Sequence, residues 1–231
     1  MPSDYLYEHL SAVLRFVARA PSLAGPLSGF SRVLLRYTQT LHLLRSFQFD
    51  GVIDGGANIG EFAELVKIAL PSASLLCVEP HPVCAQKLRD KGLNVVEVAL
   101  WSESNVTLDL VQVSESSTSS QLGSMVSQRP SWKVNTLRLD AVPVAGHRLL
   151  VKLDLQGAEL AALSGMGPLW ERCHGFIIET RMGPSGNFQM LQKLFEAKGY
   201  ANHGTLNQFY EGDVLTEVDQ VWIRHATLSA P

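Results

Sequence analysis

Cysteine is scarce in this chain: Cys77, Cys84 and Cys173 are three among 231 residues. An odd number, in neither Cys-x-x-Cys nor zinc-ligand spacing, excludes a disulfide framework and a local thiolate motif, and reduced thiols in a cytoplasmic setting are the expectation. The seven histidines form no His-x-x-x-His pair, so no metal centre is expected. Long apolar runs are missing as well. Arg15 and Arg19 interrupt the first candidate, and Pro21, Gly25 and Pro26 break up the residues after it, so neither an export signal nor a membrane span is expected. Nor is there an excess of positive charge. With 19 Lys and Arg against 22 Asp and Glu, no broad electrostatic footprint exists for a phosphate backbone, and no nucleic-acid partner is expected.

What is present suits a globular α/β protein. Hydrophobic residues reach 46% and charged residues 18%, which excludes disorder, collagen and coiled coil. Leu6, Leu10, Val13, Leu14 and Val17 repeat at helical spacing, as do Phe30, Val33, Leu34, Tyr37, Leu41 and Leu44, with a break at 21–29. Residues 1–49 are therefore read as a helical extension packing on a core formed by residues 50–231. From Gly51 onward, short apolar runs alternate with helical segments. Strands are predicted at 51–54, 74–79, 95–100, 149–155 and 176–179, with helices at 61–70, 82–91, 158–170 and 188–198. Period-two alternation at 106–113 and 133–139 predicts antiparallel strands flanking a Ser-rich stretch, 114–127, which reads as a solvated loop or a lid. Late strands at 208–210 and 220–225 close the sheet.

The segment Val52-Ile53-Asp54-Gly55-Gly56-Ala57-Asn58-Ile59-Gly60 runs from a strand through a glycine-rich turn into a helix. Glycines permit the turn's dihedrals and close approach of a ligand, and the helix N-terminus offers free N–H donors. Glu79 ends the next strand, 25 residues after Asp54, where a carboxylate can accept from both hydroxyls of a ribose. The pair of features points to a nucleoside at the carboxyl edge of the sheet. Asp54 discriminates between cofactors: its carboxylate would repel a pyrophosphate but can bind, directly or through water, the cationic amino end of a methionine moiety. No Tyr-x-x-x-Lys pair supports a short-chain dehydrogenase.

Asp54-Gly55-Gly56-Ala57-Asn58-Ile59-Gly60, Val78-Glu79-Pro80, Val98-Ala99-Leu100 and Lys152-Leu153-Asp154-Leu155-Gln156-Gly157-Ala158-Glu159, in that order, resemble the motif series of FkbM-type methyltransferases. The resemblance spans roughly residues 49–225. It implies a Rossmann-like, mostly parallel seven-stranded sheet, S-adenosylmethionine as methyl donor, and a hydroxyl on a sugar, polyketide or similar metabolite as acceptor. The cofactor-binding candidates are then Asp54, Gly55, Gly56, Ala57, Asn58, Gly60, Glu79, Pro80, Ala99, Leu100 and Asp154. Gln156 stands where many members carry Glu.

Methyl transfer needs an aligned oxygen nucleophile and removal of its proton. Asp154 ends a strand beside the cofactor site, alternation puts Lys152 on the same side, and Glu179 ends the neighbouring strand. These three are the catalytic candidates. Asp154 has a plainer role open to it, as cap of the helix starting near Gly157, with Glu159 in that helix's first turn. The alternatives are a nicotinamide-dependent oxidoreductase and a non-catalytic nucleoside-binding module.

Overall fold

The computed structural model describes residues 38–112, 120–122, 131–184 and 186–228. The helical repeat at 6–17, the break at 21–29 and most of the Ser-rich stretch lie outside the described residues. The end of the second helical run is present: residues 38–46 are helical, with Leu43 and Leu44 buried.

A wholly buried strand, β1 (Gly51–Gly55), is followed by α1 (Glu61–Ala69), whose acids Glu61 and Glu64 in the first turn and Lys67 in the last complement the helix dipole. Next come β2 (Ser74–Val78) and α2 (Pro82–Asp90). Pro82 suits the first turn of α2, where its missing N–H is not needed, and the His81 side chain caps the helix by accepting from the Val83 amide at 3.2 Å. Short strands β3 (Val95–Val96) and β4 (Ala99–Leu100) precede β5 (Thr107–Gln112), β6 (Ser120–Leu122) and β7 (Ser131–Leu137). The remainder is β8 (Leu149–Leu153), α3 (Glu159–Ser164), β9 (Cys173–Arg181), α4 (Phe188–Ala197), β10 (Tyr200–Glu211), β11 (Val214–Arg224) and α5 (His225–Leu228).

Seven strands form one sheet in the order β10-β11-β9-β8-β1-β2-β3. β1 pairs in parallel with β2 and β8, β8 with β9, and β2 with β3. β11 is antiparallel to both β9 and β10, so among the described residues it is the single reversed strand of an otherwise parallel sheet, as expected for this α/β class. The chain moves outward from β1 through β2 and β3, then returns to β8 on the other side. This reversal puts a crevice at the carboxyl ends of β1 and β8.

Both faces of the sheet are covered. On one face Ile53, Val151, Phe176 and Trp222 pack with Leu163 of α3 and Leu191 and Phe195 of α4. Phe195 stacks on Trp222 at 5.0 Å and meets Phe176 edge-on at 4.9 Å. On the other face Val52, Leu150, Ile177 and Val221 pack with Leu43, Leu44, Phe49 and Val66.

Three expectations need correction. The third strand, predicted over 95–100, is divided between two sheets: β3 pairs with β2, whereas β4 pairs with β7 in a separate four-stranded sheet ordered β4-β7-β5-β6. At the crossing Glu97 turns outward to an ion pair with Arg89 at 2.8 Å. The helix predicted over 158–170 stops at Ser164, because Gly165 occupies its C-cap and Pro168, lacking an N–H, starts a separate 3-10 turn, Gly167–Glu171. The late strands are far longer than the predicted 208–210 and 220–225. No helix among the described residues is long and apolar enough to cross a membrane.

The Phe195 ring, fully buried in this aromatic cluster, predicts that Phe195→Ala loses about 3–5 kcal/mol in urea unfolding; a loss below about 1 kcal/mol would show that the cluster does not anchor α4.

Candidate functional site

The turn after β1 holds three residues in the left-handed region, Gly56 (φ 72°), Asn58 (φ 48°) and Gly60 (φ 91°). Gly56 is required on two counts. Beyond its φ, a Cβ there would lie 1.9 Å from the carbonyl oxygen of Asp154. The turn is fastened to both neighbouring strands. The amides of Gly56 and Ala57 donate to Val78 O at 2.9 and 3.3 Å, and the Asp154 amide donates to Gly55 O at 3.1 Å. At Gly60 a Cβ would press on Leu88 of α2 at 2.8 Å.

Glu79 follows β2 and is buried. Its Oε2 accepts from the Asn58 amide at 2.7 Å and its Oε1 from the His81 amide at 2.8 Å. Burial raises its pKa, while the two amides oppose the shift. A carboxylate has about four lone-pair positions, so acceptor capacity remains on both oxygens after these two bonds. Asn58 Oδ1 accepts from the Cys84 thiol at 3.4 Å, which ties the turn to α2.

Between these elements lies an open cleft, whose empty volume with the solvent at its mouth is about 710 Å³. The predicted residues Gly56, Asn58, Glu79, Pro80, Ala99, Leu100 and Asp154 all line it. Gly55, Ala57 and Gly60 do not; they shape the turn. The unforeseen lining residues include Val98, Leu110, Leu122 and Gln156. Leu110 and Leu122 belong to β5 and β6, so the second sheet forms an apolar wall of the cleft. Leu122 belongs to the part of the Ser-rich stretch that is described.

Asp54, Lys152 and Glu179 belong to a charged band on one face of the main sheet. The apolar row Val52, Leu150, Ile177 and Val221 gives way, two residues nearer the carboxyl edge on each parallel strand and two residues earlier on reversed β11, to Asp54, Lys152, Glu179 and Asp219. Asp54 and Lys152 are register partners on β1 and β8. Glu179 and Asp219 are register partners on β9 and β11. Asp154 lies one residue beyond the last paired position of β8, level with Glu179.

Lys152 Nζ stands 3.6 Å from Asp54 Oδ1 and 3.5 Å from Asp154 Oδ2, and it also lies over the Phe62 ring at 5.7 Å. Burial alone would lower its pKa, but Asp154, Asp54, Asp219 and Glu179 push it well above the usual lysine range. Asp54 is fully buried, and among the described residues no hydrogen bond reaches either of its oxygens. As placed, it faces Lys152 and not the cleft. Burial raises its pKa against the opposing pull of Lys152.

Asp154 is raised by burial yet ends below the usual carboxylate range, because Lys152, Gln156 and Glu179 favour its anion. Burial, followed by repulsion from Asp154, Glu217, Glu159 and Asp219, pushes Glu179 up to about 9. Glu179 therefore holds its proton more tightly than an ordinary glutamate. Gln156, at φ 54°, donates its Nε2 to Asp154 Oδ1 and Glu179 Oε2, both at 3.0 Å. Asp219 accepts from the Asn207 side chain.

Asp154 does not cap α3, whose N-cap residue is Ala158 with no side-chain cap; the acid that ties down the preceding turn is Glu159. Its Oε1 accepts from the amides of Leu155 and Gly157 at 2.9 and 3.1 Å, and the side chain is buried. That leaves the Asp154 carboxyl to the charged band and the cleft. The His81 ring contacts Trp132 of the second sheet at a tilt of 54°, with ring centroids 4.2 Å apart, and Arg181 pairs with Glu217 at 3.4 Å.

The family described as "Methyltransferase FkbM domain" matches residues 54–201. The chain is similar to methyltransferase sdnD of Sordaria araneosa, with 28% identity over 189 residues, covering 64% of this chain and 73% of that protein. Among solved structures it is similar to precorrin-6y C5,15-methyltransferase from Geobacter metallireducens GS-15, at 13% identity and a TM-score of 0.48, over 81% of this chain and 86% of that one. It is also similar to M. capricolum TrmK in complex with S-adenosyl-homocysteine, at 10% identity and a TM-score of 0.43, over 80% and 66% of the two chains.

Two predictions come from the charged band. Lys152→Met leaves Asp54 buried without a counter-charge and lowers stability by about 3–5 kcal/mol in urea unfolding, whereas adding Asp54→Asn to it restores more than about 1 kcal/mol; equal losses in the single and double variants would refute the pairing. The second concerns pH. Between its ordinary value of 4.5 and about 9, folded Glu179 keeps a proton that the unfolded chain has released, so this group's contribution to stability falls as pH rises through that window. Melting temperature measured from pH 5 to 9 should therefore decline less steeply in Glu179→Gln than in the parent, and identical slopes would contradict the raised value.

Proposed function

The chain belongs to the FkbM methyltransferase family, and from that premise we propose that it is an S-adenosylmethionine-dependent enzyme methylating a hydroxyl on a sugar, glycan or secondary metabolite. The observation carrying this reading is the order of groups along the cleft, with Glu79 after β2, the glycine turn after β1, and Asp154 after β8. The residues present fit an adenosyl ligand. Gly56 leaves main chain open at the crevice, Glu79 retains lone pairs for ribose hydroxyls, and Leu100 and Leu110 offer an apolar wall for the base. Asn58, Pro80 and Ala99 complete this half of the site, while Gly55, Ala57 and Gly60 shape the turn.

S-adenosylmethionine supplies a methyl group already activated on a sulfonium sulfur. What remains for the protein is alignment of the acceptor and custody of its proton. Asp154, favoured as an anion by Lys152 and open to the cleft, would take up the proton of an acceptor hydroxyl aligned there. Glu179, with its raised pKa, is the adjacent hydrogen-bond donor. Lys152 acts through Asp154 and Asp54, and Asp54 serves as its buried counter-charge.

A small-molecule or glycan acceptor, and not a nucleic acid, is part of this proposal; the carboxylates of the band and the net charge of -3 support it by disfavouring a phosphate backbone. Action in the cytoplasm, and the division into a 1–49 extension on a 50–231 core, are proposed with it. Leu43 and Leu44 packed on Val52 and Leu150 support the extension's place on that face.

Calorimetric titration with S-adenosylhomocysteine and with NAD tests the cofactor, and transfer of a labelled methyl group into a cell extract tests the activity. S-adenosylhomocysteine should bind and NAD should not; Glu79→Gln should weaken binding about tenfold or more, and Asp154→Asn should cut label transfer by about 10²-fold. Binding of NAD instead, or undiminished transfer by Asp154→Asn, would overturn the assignment.

A further inference from the structure

Gln156 reaches the cleft from a left-handed backbone conformation, φ 54°, which is uncommon outside glycine and is held by its surroundings. One nitrogen of its amide lies 3.0 Å from Asp154 and 3.0 Å from Glu179. A primary amide carries two N–H donors, one for each carboxyl. A glutamate of the same shape would instead put a third carboxyl at those distances.

Resting on the methyltransferase reading, we propose that Gln156 is a positioning residue that ties Asp154 and Glu179 into one pair holding a single proton, so that Asp154 stays the open proton acceptor. The surroundings enforce single occupancy. Lys152 on β8 lies 3.5 Å from Asp154 and favours its anion. Asp219 and Glu217 on β11, Glu159 on α3 and Asp54 on β1 add negative charge around the pair, and Arg181 at the end of β9 is drawn away by Glu217. Two adjacent carboxyls in such a field cannot both ionise easily, and the proton settles on the one farther from the lysine. The amide keeps the two groups level across β8 and β9, where the strand ladder itself has ended.

The test is a carbon-13 NMR titration of carboxyl-labelled full chain, in the parent and in Gln156→Glu, Gln156→Leu and Glu179→Gln. In the parent, one carboxyl titrating near 9 should be present, and it should vanish in Glu179→Gln. Gln156→Glu, which keeps the shape and removes the donors, should move the titration of Asp154 up by about one unit or more, a tenfold change in its proton affinity, and Gln156→Leu should move it in the same direction. If both variants leave the Asp154 and Glu179 titrations at the parent values while only the melting temperature changes, Gln156 is a packing residue and the proposal fails. The titration is read on the chain without cofactor or acceptor, so its failure is separate from a failure of S-adenosylhomocysteine to bind.

Discussion

One largely enclosed ammonium group, that of Lys152, governs the carboxyl edge of the main sheet. Lys152, in register with Asp54 and two residues from Asp154, is the cation around which the carboxyls of four strands are arranged. Isolated charges are costly to bury, and the interior tolerates them only when paired and hydrogen-bonded. Here Asp54 serves as the enclosed counter-charge, Asp154 as the outward one, and Glu179 avoids repulsion by keeping its proton. The arrangement drives the pKa values of two neighbouring carboxyls apart, Asp154 down and Glu179 up.

The same two strands create the space for a ligand. Gly56 approaches the Asp154 carbonyl so closely that no side chain fits between them, and this contact brings the β1 and β8 turns together at the point where strand order reverses. Glu79 is held in place by two backbone amides of neighbouring turns. The second sheet closes the cleft with apolar residues from β5 and β6. In the proposed assignment, the nucleoside half after β1 and β2 and the proton-accepting Asp154 after β8 share one crevice.

Much of this was legible from local pattern. The glycine turn, the position of Glu79 and the level of Asp154 and Glu179 follow from strand alternation and from turn chemistry confined to short segments. The antiparallel pairing of β5 with β7 was readable for the same reason. What escaped depends on pairing between distant residues. Asp219 lies in a strand whose extent was underestimated, because β10 and β11 support each other through cross-strand contacts that single-strand composition does not report. The division of residues 95–100 between two sheets is decided by partners in β2 and β7. Gln156 stood out only as a departure from Glu, and the reason for an amide emerges once β9 brings Glu179 beside Asp154. Asp54 was expected at the ligand, but register with Lys152 turns it inward.

The most direct measurement is a crystal structure of the full chain with S-adenosylhomocysteine. The ribose hydroxyls should lie on Glu79, the base against Leu100 and Leu110, and the sulfur end should point toward Asp154 and Glu179. A ligand bound in the reverse direction, or outside the crevice between β1 and β8, would contradict this assignment of the cleft.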